Sequence, residues 1–310
     1  MAAKKTSIGG QALMEGIMMR GPQVTAMAVR NPQGEIVLEE NPTKGKDRAK
    51  FFKLPLIRGI FNMVDSLSCG YKYLMRSAEI CGIDEEEERK RAARGPRWYD
   101  AVVDKLLMPV ATVLAVVLAF ALFFWLPMQL WDWLTLALPG IAGHYFVRAV
   151  FEGVLRIVIF VGYVWVTSLL KDIRRTYMYH GAEHKTIFCY EAGLPLTVEN
   201  IRAQRRFHPR CGTSFLILVL LVSIVVSTFI RIDNQLLRMA VKLLTIPLIV
   251  GIGYELIKLA GRKDNWLTRV ISAPGLALQR LTVFEPDDSM IECAIAAMEK
   301  VIPPDGSDQW

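Results

Sequence analysis

The residues able to do chemistry crowd into one stretch of the chain. Between residues 174 and 215 stand His180, His184 and His208, three of its four histidines, with Cys189 and Cys211. His180-Gly-Ala-Glu183-His184 has the H-x-x-E-H form. On a helix, residues four apart share a face, so both imidazoles can address one ion. Glu183 stands one residue before the second histidine, within reach of a water at that ion. That is the order of ligand, base and ligand in the inverted zinc hydrolases. Downstream, His208-Pro-Arg-Cys211 offers a second pair of nitrogen and sulfur donors.

The number of ligands decides the chemistry. His180, His184, His208 and Cys211 together would close a tetrahedral shell and make the metal structural. Two histidines with one carboxylate or with His208 would leave a position for water, whose pKa zinc lowers to about 7, with Glu183 as general base. Glu191 follows His184 by seven residues, on the same face if the helix continues. It is a candidate third ligand or an orienter of a ligand imidazole. Gly193 and Pro195 then end the helix. Two other readings stay open: Cys211 as a nucleophile beside His208, and histidines serving only as polar residues at an interface. The expected cofactor is a divalent metal, with zinc the leading ion.

Long apolar runs must carry this segment. Residues 106–125 are about twenty apolar positions without a charge, enough to cross the hydrocarbon core. Trp125, Trp131 and Trp133 mark an interface; 134–142 is too short to span and reads as an interfacial turn. Further spans are expected over 154–170, 214–230 and 236–259, the last holding Lys242, Pro247 and Glu255. Segment 171–212 carries eight Lys/Arg against one in 231–235, so the positive-inside rule puts both termini and the His-rich segment in the cytoplasm. The net charge of +7 is then explained by these loops. No nucleic-acid-binding signature is present. The N-terminus lacks the apolar core of a signal peptide. Five scattered cysteines argue against a disulfide framework. Intramembrane acids are costly and invite a functional reading, although Arg148, Glu152 and Arg156 are spaced for a ladder on one helical face.

Outside the spans, residues 6–22 are Gly-rich and read as a tight turn before a strand. Residues 25–39 alternate around Asn31-Pro-Gln-Gly34 and read as a β-hairpin. Residues 51–83 form a basic amphipathic helix, suited equally to a membrane surface or a soluble core. The run 84–94 is a charged linker. Glu285-Pro-Asp-Asp caps a last helix, whose Met290, Ile291, Ala294, Ile295, Met298 and Val301 form a packing stripe.

IGGQALMEGIMMRGP, YHGAEHKTIFCYE, FHPRCGTSFL and APGLALQRLTVFEPDDSMIECAIAAME resemble the YqhQ-like bacterial membrane proteins. That family has no known function and is labelled a predicted metal-dependent enzyme. The resemblance implies a site shared by the first segment, with Glu15 and Arg20, and the central one, with His180, Glu183, His184, Glu191, His208, Arg210 and Cys211. By its place near the cytoplasmic end of the last span, Glu255 is a further candidate to face the motif loop, or equally to snorkel or pair with Lys258 or Lys242.

The expected fold is an α-helical membrane protein of the bacterial inner membrane, with about four transmembrane helices and a small cytoplasmic α/β portion. Its order is a Gly-rich segment and hairpin (1–50), the amphipathic helix and linker (51–105), two spans (106–170), the motif loop (171–213), two spans (214–259) and C-terminal helices (260–310). Its expected activity is metal-dependent hydrolysis at the cytoplasmic membrane face, on a membrane lipid or lipid-linked substrate. The rivals are a non-enzymatic scaffold stapled by a closed metal site, and a transporter with a polar intramembrane path. The latter has so few spans that it would need to form a homo-oligomer.

Overall fold

The computed structural model describes residues 5–43, 50–82, 100–262 and 265–309. The charged run 84–94 lies outside them. The chain is mostly helical, with one small sheet.

The Gly-rich segment contributes two strands rather than a turn alone. β1 (Gly9–Leu13) and β2 (Gly16–Arg20) are joined across Met14 and Glu15, and Glu15 takes a positive φ of 48°. β3 (Val24–Arg30) and β4 (Ile36–Pro42) form the expected hairpin around Gly34, whose φ of 88° suits glycine. The order is β1-β2-β3-β4, antiparallel throughout. Side chains alternate across the pleat. Ile17, Met19, Ala26 and Ala28 enter one core with Met290, Ile291, Ala294, Met298 and Val301. Leu13, Met18, Met27 and Val29 enter a second with Tyr73. Burying each such large side chain is worth about 1.5–3 kcal/mol, so both faces of the sheet are committed.

Helix α1 (Ile57–Ile80) covers the second face and packs on the later helix Ile246–Arg262, leaving Val64, Leu67 and Tyr71 exposed. The helix predicted over 106–125 is longer than expected. α2 (Asp100–Phe120) passes through a π turn at Ala121–Trp125 into α3 (Leu126–Ala137). The interfacial turn expected from residue 134 therefore starts only at Leu138, with the short 3-10 turn Pro139–Ile141. α4 (Tyr145–Ser168) leads into α5 (Lys171–Glu191) and the short α6 (Val198–Arg202), so more than half of the expected motif loop is helix. α7 (Gly212–Ser227), α8 (Gln235–Leu244), α9 (Ile246–Arg262), α10 (Trp266–Thr282) and α11 (Asp288–Val301) complete the chain. Asp287 caps α11, as its sequence predicts.

Among the described residues, two helices are long and apolar enough to cross a membrane: Pro109–Ala137 and Tyr145–Ser168. α8 and α9 make a third only if their 42° bend is counted within one span. Pro247, without an N–H and with a ring that clashes with the preceding turn, prevents one continuous helix there. α7 has 16 residues, about 24 Å, short of the roughly 30 Å of hydrocarbon.

Candidate metal centre

Three side chains from two elements converge. His180 and His184 lie one turn apart on α5, their ring centroids 4.4 Å apart. Cys211 is the N-cap of α7. His180, His184 and Cys211 each offer one donor atom, and these atoms lie within 4.8 Å of one another. His180 Nε2 is 3.1 Å from Cys211 Sγ.

The other ring nitrogens are already engaged. His180 Nδ1 donates to the Thr282 carbonyl at 2.9 Å, and His184 Nδ1 donates to the Arg206 carbonyl at 2.6 Å. Thr282 ends α10, where the last carbonyls have no partner within the helix. Such bonds fix the tautomer and leave the Nε2 lone pairs for an ion, the usual outer support of metal-bound histidine. Cys211 Sγ sits 3.5 Å from the Thr213 amide and 3.2 Å from its hydroxyl, at a helix N-terminus that favours a thiolate. Burial favours the neutral thiol, but His180 and His184 outweigh it and hold Cys211 well below the ordinary thiol value. Burial likewise opposes the His180 cation, yet Cys211 and Glu183 raise it to about 9. His180 and Cys211 thus favour an imidazolium–thiolate pair, whose proton a metal ion would replace.

Glu183 is buried beside them. Burial raises its carboxyl above the usual value, against the pull of His180 and His184, and the Gly10 amide donates to it. A Cβ on Gly10 would stand 3.0 Å from Glu183 Cδ and 2.7 Å from the Met18 carbonyl. The glycine is what lets β1 approach the carboxylate.

His208 and Glu191 form an adjoining layer instead of joining the three donors. His208 Nδ1 accepts from the Arg210 amide at 3.3 Å, and its Nε2 lies 3.9 Å from Glu191 Oε2. Burial lowers His208 to about 4 despite Glu191. Glu191 accepts from the Thr6 amide at 2.8 Å and from the Arg210 guanidinium. Burial works to raise its carboxyl, but the bonds from His208, Arg210 and Thr6 outweigh it and hold the group at about 2. Glu15 pairs with Arg175 and accepts from Tyr179; Arg20 pairs with Asp65 on α1. Glu255 pairs with Arg58 and accepts from the Leu56 amide, on the side of α1. None of these three is among the donor atoms.

Several contributors carry little sequence signal. Gln279 is fully buried, and its side chain bonds both the amide and the carbonyl of His208, at 2.8 and 2.7 Å. One polar residue on the buried face of amphipathic α10 was the available clue. The carbonyls of Thr282 and Arg206 had none, because every residue has a carbonyl.

Fold and site define the class: a mostly helical protein with two or three apolar helices, carrying a four-stranded antiparallel sheet and a two-histidine, one-cysteine cluster. The chain belongs to the family described as Protein of unknown function (DUF1385), which matches residues 54–303. It is 32% identical over 303 residues to the Uncharacterized protein YqhQ of Bacillus subtilis (strain 168), covering 95% of this chain and 92% of that protein. No solved structure matches it.

Proposed function

We propose that this protein is a metal-dependent hydrolase of the bacterial inner membrane, with both termini cytoplasmic and the site at the membrane–cytoplasm boundary. The observation that carries the reading is the donor set. Two nitrogens and one sulfur lie within 4.8 Å of one another, and both histidines have their second nitrogen on a backbone carbonyl. His180, His184 and Cys211 would hold the ion, and three protein donors are the count of a catalytic rather than a structural zinc site.

A zinc ion held by these residues would supply Lewis acidity, lowering the pKa of a water toward neutral. The chain's own residues supply the rest. Glu183, raised by burial and oriented by the Gly10 amide, takes a proton from water and returns it to the leaving group. The Thr282 and Arg206 carbonyls keep both imidazoles in one tautomer. A membrane lipid or lipid-linked substrate follows from the apolar helices alone. Arg206 and Arg210 are spent on Glu285 and Glu191, which leaves Arg205, stacked on Phe188, as the basic residue for a headgroup.

The burial of His184 and Cys211 favours a second reading, a metal that staples α5 to α7 without catalysis. One set of variants separates the two. Metal content and hydrolysis of a phosphate- and carboxylate-ester panel would be measured on wild type, His184→Ala, Cys211→Ser and Glu183→Gln. About one zinc per chain is expected in wild type and in Glu183→Gln, and far less in the other two. Hydrolysis by Glu183→Gln should fall about 100-fold or more. Metal binding without any Glu183-dependent hydrolysis would establish the staple; no metal in wild type would sink both.

A further inference from the structure

A second concentration of charge lies at the opposite end of α4. Arg148, Glu152 and Arg156 line one face of that helix, and Arg238 and Lys242 come from α8. All five are buried. Glu152 Oε2 receives Lys242 Nζ and, at 3.3 Å, the Arg156 guanidinium. Arg156 Nε also donates at 2.8 Å to the carbonyl of Phe123, within the π turn between α2 and α3. That half of the cluster is internally satisfied, except that Glu152 Oε1 has no donor.

The outer half is not. Arg238 is 2% exposed, and its Nε has no hydrogen-bond partner. Its ion-pair contact, to Asp132 Oδ1, is 3.7 Å long. Arg148 donates to the Ile232 carbonyl at 3.1 Å and reaches the exposed Asp233 carboxylate only at 3.8 Å. Arg148 and Arg238 are electrostatic neighbours, two like charges close together in an apolar setting. Four buried cations therefore face one buried carboxylate, with Asp132 and Asp233 at the rim. A buried guanidinium with an unsatisfied Nε and only a long ion pair is poorly compensated for its lost hydration, and a second one beside it adds repulsion. The planar guanidinium of Arg238, with its Nε–H unpartnered, matches the oxygens of a phosphate.

We infer that Arg238 and Arg148 form a binding site for a phosphate group, separate from the His/Cys centre. Arg148 and Ser168 are 20 residues apart on one helix, about 30 Å, so the two sites sit at opposite ends of the apolar helices. Arg148 and Arg238 lie one turn inside the ends of their helices. That is headgroup depth if α4 spans a bilayer, which points to the phosphate of an anionic lipid. The inference uses the spanning of α4 and needs neither metal nor catalysis.

The full-length protein would be reconstituted in nanodiscs of phosphatidylcholine, with and without phosphatidylglycerol, and probed by thermal unfolding and by native mass spectrometry of retained lipid. The expected result is a saturable rise in unfolding temperature with phosphatidylglycerol and its retention by wild type. Retention should weaken roughly 10-fold in Arg238→Gln and less in Arg238→Lys, which keeps the charge but not the fork. Inorganic phosphate, added to the phosphatidylcholine discs, is the second probe. If it alone gives the rise and displaces the lipid, the site stands with a soluble ligand. Equal behaviour in both lipids with no response to phosphate would overturn it, as would undiminished retention by Arg238→Gln. Should Arg238→Gln fail to fold, the wild-type comparison and Arg238→Lys still decide. Release of the protein from vesicles by an alkaline wash would fault the spanning of α4 while leaving the phosphate arm to be read on its own.

Discussion

At the scale of single residues, the candidate centre is held by contacts with little room to spare. Gly9 and Gly10 are neighbours with opposite constraints: a Cβ on Gly9 meets nothing within 4 Å, whereas one on Gly10 presses on Glu183 and on β2. Gly10→Ala is expected to cost about 1–3 kcal/mol and to impair hydrolysis without removing metal. Gly9→Ala should be close to neutral, and thermal unfolding with metal analysis checks both. His208 and Glu191 predict an acid dependence. Each has its pKa depressed by folding, so the folded chain holds fewer protons than the unfolded one, and stability falls as pH falls. His208 acts first, from its ordinary 6.5 down to about 4; Glu191 follows, from 4.5 down to about 2. Metal-free protein should lose on the order of 1–3 kcal/mol between neutral pH and the lower end of the His208 window. His208→Gln should flatten that slope, as followed by unfolding at a series of pH values.

At the scale of elements, α5 provides the two histidines, but α10 decides where Cys211 can be. Gln279 grips His208 at both its amide and its carbonyl and reaches the Ser214 hydroxyl at 3.1 Å. It thereby clamps both sides of the turn bearing Cys211. Gln279→Leu leaves the buried His208 amide unpaired, at about 1–3 kcal/mol, and its carbonyl with only the bond from the Cys211 amide. The expected outcome is weaker zinc retention against a chelator, with both histidines untouched. Unchanged retention would mean that the turn is held by other contacts. The junction of α1 and α9 follows a different rule. Gly59 lies against Tyr254 and Gly251 against Leu56, so the two backbones approach through missing side chains. Glu255 is used there, bonding the Leu56 amide where that residue takes a φ of 68°.

At the scale of the whole molecule, the sheet, α5 and α11 share one core, and both described chain ends meet at it. Thr6 and Gln309 form a bridge, and the Thr6 hydroxyl and Tyr190 bond the fully buried Asp308. The sheet and the His/Cys centre therefore belong to one body. Cysteine labelling in intact cells tests the proposed orientation. Gln33→Cys, in the β3–β4 turn, should resist a membrane-impermeant reagent, while Gly140→Cys, between the two long apolar helices, should react. The reverse pattern would invert the topology and remove the cytoplasmic setting from the proposed hydrolase.

Much of this was legible in the residue order, because periodicity and spacing are local. The 25–39 hairpin, the apolar helices near 106–125 and 154–170, the Asp287 cap and the shared face of His180 and His184 all follow from short-range rules. Spacing also left five candidates for the metal shell, His180, His184, His208, Cys211 and Glu191. Only tertiary structure separates them, since the ligand count depends on where a turn after α6 meets α5. It joins Cys211 to the two histidines and turns His208 toward Glu191 and Arg210. It also gives Gly10, Gln279 and two backbone carbonyls their parts. Their chemistry is common to many positions, and only their distance from Glu183, His180, His184 and His208 makes them particular.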